Sequence, residues 1–148
     1  MTTLRGTTPA LLALLALGSF PIPSAAAADG MLVCNAKNSS TKLTHAQLRE
    51  LVIGQAKQWP SGKMFQLVLG ADDSGPLEWF AQTHFAVPAK TLLGKIRQEF
   101  FKGELRRPIS ATDDDDAIAK VNANEGSLAI VRAGAVLPKS VVAVTVGE

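Results

Sequence analysis

The chain carries 148 residues with 15 Lys and Arg against 13 Asp and Glu, a formal net charge of +2, two histidines and one cysteine. Its basic residues are scattered, tyrosine is absent and aromatics are few, which excludes a nucleic-acid partner, since that calls for a basic patch interleaved with stacking platforms. A lone cysteine excludes an internal disulfide, so the fold has to be held by its apolar core.

The N-terminal segment has the layout of a cleavable signal peptide: Arg5, then the apolar run Leu11–Phe20 broken by Pro21 and Pro23, then the small residues Ala25–Ala28. The apolar run is well short of the ~20 residues a membrane span needs. Met31, Leu32 and Val33 ahead of Cys34 are too large for a lipidation box. Residues 1–28 are therefore expected to be removed on export to the periplasm or the medium. Residues 29–148 then suit a single domain of ordinary size.

Met31–Asn35 is an apolar run that predicts a strand, with Cys34 as a small buried hydrophobe. Residues 38–41 are a polar loop. Thr44 and Gln47 form a capping box, after which Leu48, Leu51 and Val52 fall at helical spacing until Gly54 stops the helix. Trp59-Pro60-Ser61-Gly62 is a turn and Phe65–Leu69 a second strand. Asp72-Asp73-Ser74-Gly75-Pro76 leads into a helix with Pro76 near its first position and Leu77, Phe80 and Ala81 as its buried stripe. A third helix starts near Pro88, turns Leu92, Leu93, Ile96 and Phe100 inward and ends at Gly103. A fourth is capped by Thr112, carries Asp113–Asp116 in its first turn and buries Ile118 and Val121. Leu128–Val131 and Val141–Val146 are the closing strands. This order predicts one α/β domain, three-layer-like, with a short mixed sheet flanked by helices.

No catalytic constellation emerges. Four consecutive carboxylates at a helix start point in different directions and complement the dipole, each worth ~0.3–1 kcal/mol; they lack the alternating ligands, Gly and terminal Glu of a calcium loop. His45 and His84 have no second ligand at metal spacing, and Ser74 lies in no nucleophile elbow. Trp59 and Trp79 are read as core or rim residues. No metal or cofactor is expected, and no enzyme. The segment from Asp72 to Pro76 stands out because it joins a strand end to a helix start, where ligands gather in open α/β sheets and unpaired N–H groups face oxyanions.

The stretch from Leu43 to Val131 resembles the phosphate-binding component of bacterial phosphate ABC transporters, specifically the second lobe of that periplasmic binding-protein fold. The resemblance rests on the strand ending at Asn35, Leu43-Thr44 with Gln47-Leu48 opening a helix that closes at Ile53-Gly54, the Trp59-Pro60-Ser61-Gly62 turn, Phe80 after the second strand, Gly103 with Pro108, and Val121–Val131 as closing helix, glycine turn and strand. It implies an oxyanion site of the pattern R-x-D-G-S-G-T, of which Asp72, Ser74 and Gly75 are kept as ligand-binding residues. Gly70 stands where the pattern has arginine and Pro76 where it has threonine. A charge-assisted hydrogen bond is worth ~1.5–3 kcal/mol, and Pro76 lacks a backbone donor. Ser127-Leu128-Ala129-Ile130 likewise replaces the family's A-I-G-Y. A micromolar Kd for phosphate would imply that another basic residue, Lys57 or Lys63 on the tryptophan turn, or a second copy of the chain, replaces the missing guanidinium.

The resemblance implies an exported accessory to transport or sensing, weakly binding phosphate or another small oxyanion and working with a membrane or periplasmic protein partner. The alternative is a non-catalytic periplasmic interaction domain that has lost its ligand. Export is checked directly: N-terminal sequencing of the exported product should begin at Asp29, after cleavage at Ala28, and a product retaining Met1 contradicts the signal peptide.

Overall fold

The computed structural model describes residues 29–70 and 75–148. The expected signal segment, 1–28, lies outside the described residues, as do Asp72 and Ser74. The elements are β1 (Gly30–Asn35), β2 (Lys42–Thr44), α1 (His45–Val52), β3 (Gln66–Leu69), α2 (Gly75–Phe85), α3 (Ala89–Phe101), β4 (Ile109–Ser110), α4 (Asp114–Ala123), β5 (Ser127–Arg132) and β6 (Val141–Gly147). They build one mixed sheet in the order β2-β6-β1-β5-β3-β4. β1 runs antiparallel to both β5 and β6, while β3 runs parallel to β5 and β4, and β2 parallel to β6.

Helices cover both faces, so the central strands are apolar at consecutive positions instead of alternating. Side chains along β1 separate by parity: Leu32 and Cys34 join Leu67, Leu128 and the helices α1, α2 and α3 in one cluster. Val33 joins Val68, Ala129, Val131 and Val141 against Ala117, Ile118 and Val121 of α4 in the other. Cys34 is completely buried, and burial pushes its thiol up to about 11. Among the described residues no helix is long and apolar enough to cross a membrane.

The local signals act as their chemistry requires. The Gln47 amide donates to Thr44 Oγ1 at 3.0 Å while the Thr44 amide donates to Gln47 Oε1 at 2.9 Å, the reciprocal capping box at the head of α1. Trp59 is buried and its Nε1 donates to the Gly126 carbonyl at 2.8 Å, tying the tryptophan turn to the start of β5. α3 begins at Pro88, which offers no side-chain cap, and the Ala89 amide instead donates to Glu78 Oε2 of α2 at 2.9 Å.

Four expectations are corrected. β2 and β4 were not foreseen; strands of three and two residues are too short to display a period. The cap of α4 is Asp113, whose Oδ1 accepts from the Asp116 amide at 2.8 Å, in place of Thr112. Phe65 lies one residue ahead of β3. Phe100 is only half-buried, because the last turn of α3 runs past the core edge. Glu99 takes the inward position there, paired with Lys95 at 3.0 Å and Lys102 at 3.4 Å. The other expected core residues (Leu48, Leu51, Val52, Phe65, Val68, Phe80, Ile96, Ile118, Val121 and Ile130) are all buried.

Gly126 is required by space: a Cβ there would overlap the Met64 carbonyl oxygen. Gly126→Ala should therefore displace the strand start and break the Trp59 hydrogen bond, lowering the denaturant midpoint far more than Gly94→Ala, whose Cβ would meet nothing within 4 Å. Equal midpoints for the two variants would show that the β5 start is free to move.

Candidate binding cleft

β3 and β5 are parallel, so their carboxyl ends, Gly70 and Arg132, emerge at the same edge of the sheet. The heads of α2 (Gly75, Pro76) and α4 (Thr112 to Asp115) face them, and together these residues line a cleft of about 520 Å³. Of the residues expected to bind ligand, Gly75 lines this cleft; Asp72 and Ser74 fall in the short segment, outside the described residues, that joins Gly70 to Gly75. Gly70 and Pro76, the two departures from the oxyanion pattern, are both on its wall.

The acidic run turns out to belong to this cleft. Asp113 caps α4, and Asp116 accepts from the Thr112 amide at 2.9 Å and pairs with Lys120 at 3.4 Å. The Thr112 N–H and then Lys120 hold the Asp116 carboxyl below its usual range. Asp114 Oδ2 accepts from the Arg132 amide at 3.2 Å, which pins the head of α4 to the end of β5. Asp113, Asp114 and Asp115 all line the cleft. Among the described residues no group of three or more His, Cys, Asp and Glu could hold a metal.

Arg132 is the basic side chain among the described lining residues. Sequence reading missed it. It was findable only through topology, as the last residue of a strand parallel to β3. Lys57 and Lys63 do not line this cleft. Lys63 pairs with Glu125 at 2.6 Å and Lys57 with Glu104 at 3.1 Å, both near the opposite end of β3. The cleft thus sets two helix N-termini, each with a partial positive charge near +0.5, against three carboxylates and one guanidinium. An anion there meets a net negative rim, and solvent screens the interaction only in part.

The two histidines meet each other and not the cleft. His45, at the head of α1, and His84, in the last turn of α2, have ring centroids 5.5 Å apart, with Trp79 edge-on to His84 at 5.5 Å and Phe80 at 5.2 Å. Arg49 Nε donates to the His84 carbonyl at 2.8 Å. His84 is buried, and Nδ1 of both rings is buried without a partner.

No protein-family model and no curated protein sequence matches the chain. Solved structures do. An ABC-type phosphate transport receptor from Vibrio cholerae superposes with a TM-score of 0.61 at 20% identity, covering 80% of this chain and 46% of that one. PstS from Borrelia burgdorferi gives 0.56 at 15% identity over 80% and 47%, and a Clostridium perfringens chain solved with bound phosphate gives 0.55 at 19% over 80% and 44%. The fold is that of one lobe of a phosphate-receptor chain. The protein spans less than half the length of the receptors it matches, and at these identities the likeness establishes architecture only.

The histidine pair joins the head of α1 to the last turn of α2. Burial, then His45 and Arg49, lower the pKa of His84 in the folded state. The folded value lies below the ordinary ~6.5, so the stabilising contribution is complete above that pH and is lost as pH falls through it. The denaturant midpoint should drop between about pH 7.5 and about pH 5.5, and His84→Gln should flatten that part of the profile. An identical slope in the variant would assign the acid sensitivity elsewhere.

Proposed function

We propose that this protein is an exported, non-catalytic domain of the substrate-binding-protein type whose cleft at the carboxyl ends of β3 and β5 takes phosphate or another small oxyanion weakly. The observation that carries this reading is the convergence of the α2 and α4 N-termini on one open cleft at those strand ends. Phosphate enters because solved relatives of the same fold are phosphate receptors, one of them holding the ion. An accessory role in transport or sensing, with a periplasmic or membrane protein as partner, follows from the same likeness.

Weakness follows from the lining. Gly70 supplies no guanidinium, Pro76 supplies no N–H, and Asp115 is an exposed carboxylate on the rim. Each lost charge-assisted hydrogen bond removes ~1.5–3 kcal/mol. A Kd near 1 mM corresponds to only ~4 kcal/mol of binding, within reach of a few backbone donors at a helix head.

The acidic rim also favours a second reading, a domain that has kept the fold as an interaction module and lost the anion. Calorimetric titration with phosphate at low salt separates the two. The expected result is a millimolar Kd that weakens in Ser74→Ala and tightens severalfold in Asp115→Asn. A micromolar Kd lost in Ser74→Ala would overturn the weak-binding reading. Absence of heat and of any thermal shift at tens of millimolar phosphate would overturn phosphate binding and favour the interaction module, since a bound ligand stabilises as RT ln(1 + [L]/Kd).

A further inference from the structure

We propose that the edge of the sheet where α3 ends beside β4 is a docking surface for an anionic membrane. Phe101, the last residue of α3, is 80% exposed, and its ring lies 5.3 Å from that of the half-buried Phe100, tilted by 49°. Phe101 and Arg107 border one shallow groove of about 270 Å³ between α3 and β4. Arg106, the next residue back, borders an adjoining groove with Met64, which is 48% exposed. Of the three large hydrophobic side chains that stand exposed among the described residues, two therefore flank this arginine pair.

The charges of Arg106 and Arg107 are not taken up by neighbouring carboxylates among the described residues. The local carboxylates already have partners: Glu99 takes Lys95 and Lys102, and Glu104 takes Lys57. Among the described residues no carboxylate forms an ion pair with Arg106 or Arg107. From Ala89 to Ser110 the chain carries Lys90, Lys95, Arg97, Lys102, Arg106 and Arg107 against Glu99 and Glu104. The acidic run Asp113–Asp116 belongs to α4, which packs on the other face of the sheet. The molecule is thus polarised, with one basic, aromatic edge and one acidic cleft.

A bilayer fits this edge better than an acidic protein does. Protein hot spots fill well-packed, desolvated pockets, whereas Phe101 projects from a helix end into solvent. A projecting aromatic ring surrounded by cations on long apolar stems is the composition that settles at a headgroup boundary, the ring among acyl chains and the charges among phosphates. β4 contributes little to strand pairing with a partner: it has two residues, Pro108 precedes it, and the Ser110 carbonyl already accepts from Lys120 at 3.5 Å.

The test floats the full chain with vesicles of phosphatidylglycerol and phosphatidylcholine, and with phosphatidylcholine alone, at low and high salt. Any apolar contribution of the N-terminal segment is common to both vesicles and to every variant, so the readout is the ratio of partition coefficients. The ratio should exceed about tenfold at low salt and collapse at high salt. The double variant Arg106→Ala/Arg107→Ala should lose about tenfold or more on anionic vesicles, at roughly fivefold per cation. Phe101→Ser should lose severalfold. Thermal melts establish that each variant is folded; if the double variant is not, Arg106→Gln and the salt dependence of the unmodified chain serve in its place. A ratio near one, or full binding by folded Phe101→Ser and arginine variants, overturns the proposal. So does variant-sensitive binding to polyglutamate without binding to anionic vesicles, which would make the edge a protein-docking surface.

Discussion

Everything in this fold hangs on β1 being paired along both edges. It is the strand through which the C-terminal elements are joined into one sheet: Leu32 faces Ile130 across one edge and Val144 across the other. Without it, β6 and β2 have no connection to β5, β3 and β4. Asn35, at its end, extends the same role through a side chain. Its Nδ2 donates to the carbonyls of Val121 and Asn122, each at 3.1 Å, meeting the unpaired C-terminal groups of α4. Val33 and Cys34 are both completely buried on opposite faces, so each layer of helices packs on this strand.

The cleft shows one set of residues under two demands. Asp113, Asp114 and Asp116 hold α4 in place by accepting from backbone amides, including the amide of Arg132 on the neighbouring strand. Those bonds fix the geometry of the cleft wall. Asp113 and Asp114, with Asp115 beside them, also line the cleft and place negative charge there, and Gly70 offers no side chain to offset it. The fold is that of one lobe of a phosphate-receptor chain, and its cleft sets three carboxylates beside one guanidinium among the described lining residues.

How much of this was legible in the sequence depends on range. The Thr44–Gln47 box, the glycine stops and the buried stripes of α1 and α2 are written within a few residues, and each appears in the structure where its chemistry puts it. The deep core was equally readable, because strands covered on both faces announce themselves as unbroken apolar runs. β2 and β4 were invisible, since two or three residues carry no period and their extended form is imposed by β6 and β3. Phe100 misled because helical spacing specifies a face without saying where the core ends. Gly75, read as a ligand-binding residue from its local motif, lines the cleft. Arg132, and the convergence of Asp113–Asp115 on the same cleft, depend on which strands run parallel, and that information is nowhere local.

The double pairing of β1 also governs the order in which this molecule can be made. A strand at residues 30–35 finds its partners only at 127–132 and 141–147, nearly the whole chain away. Loop closure over such separations must precede the contacts that reward it, which slows folding and makes it concerted. The helices in between can form and dissolve early, but their apolar faces have no complete sheet to rest on until the last strand arrives. A chain cut short before Val141 would leave one edge of its central strand open.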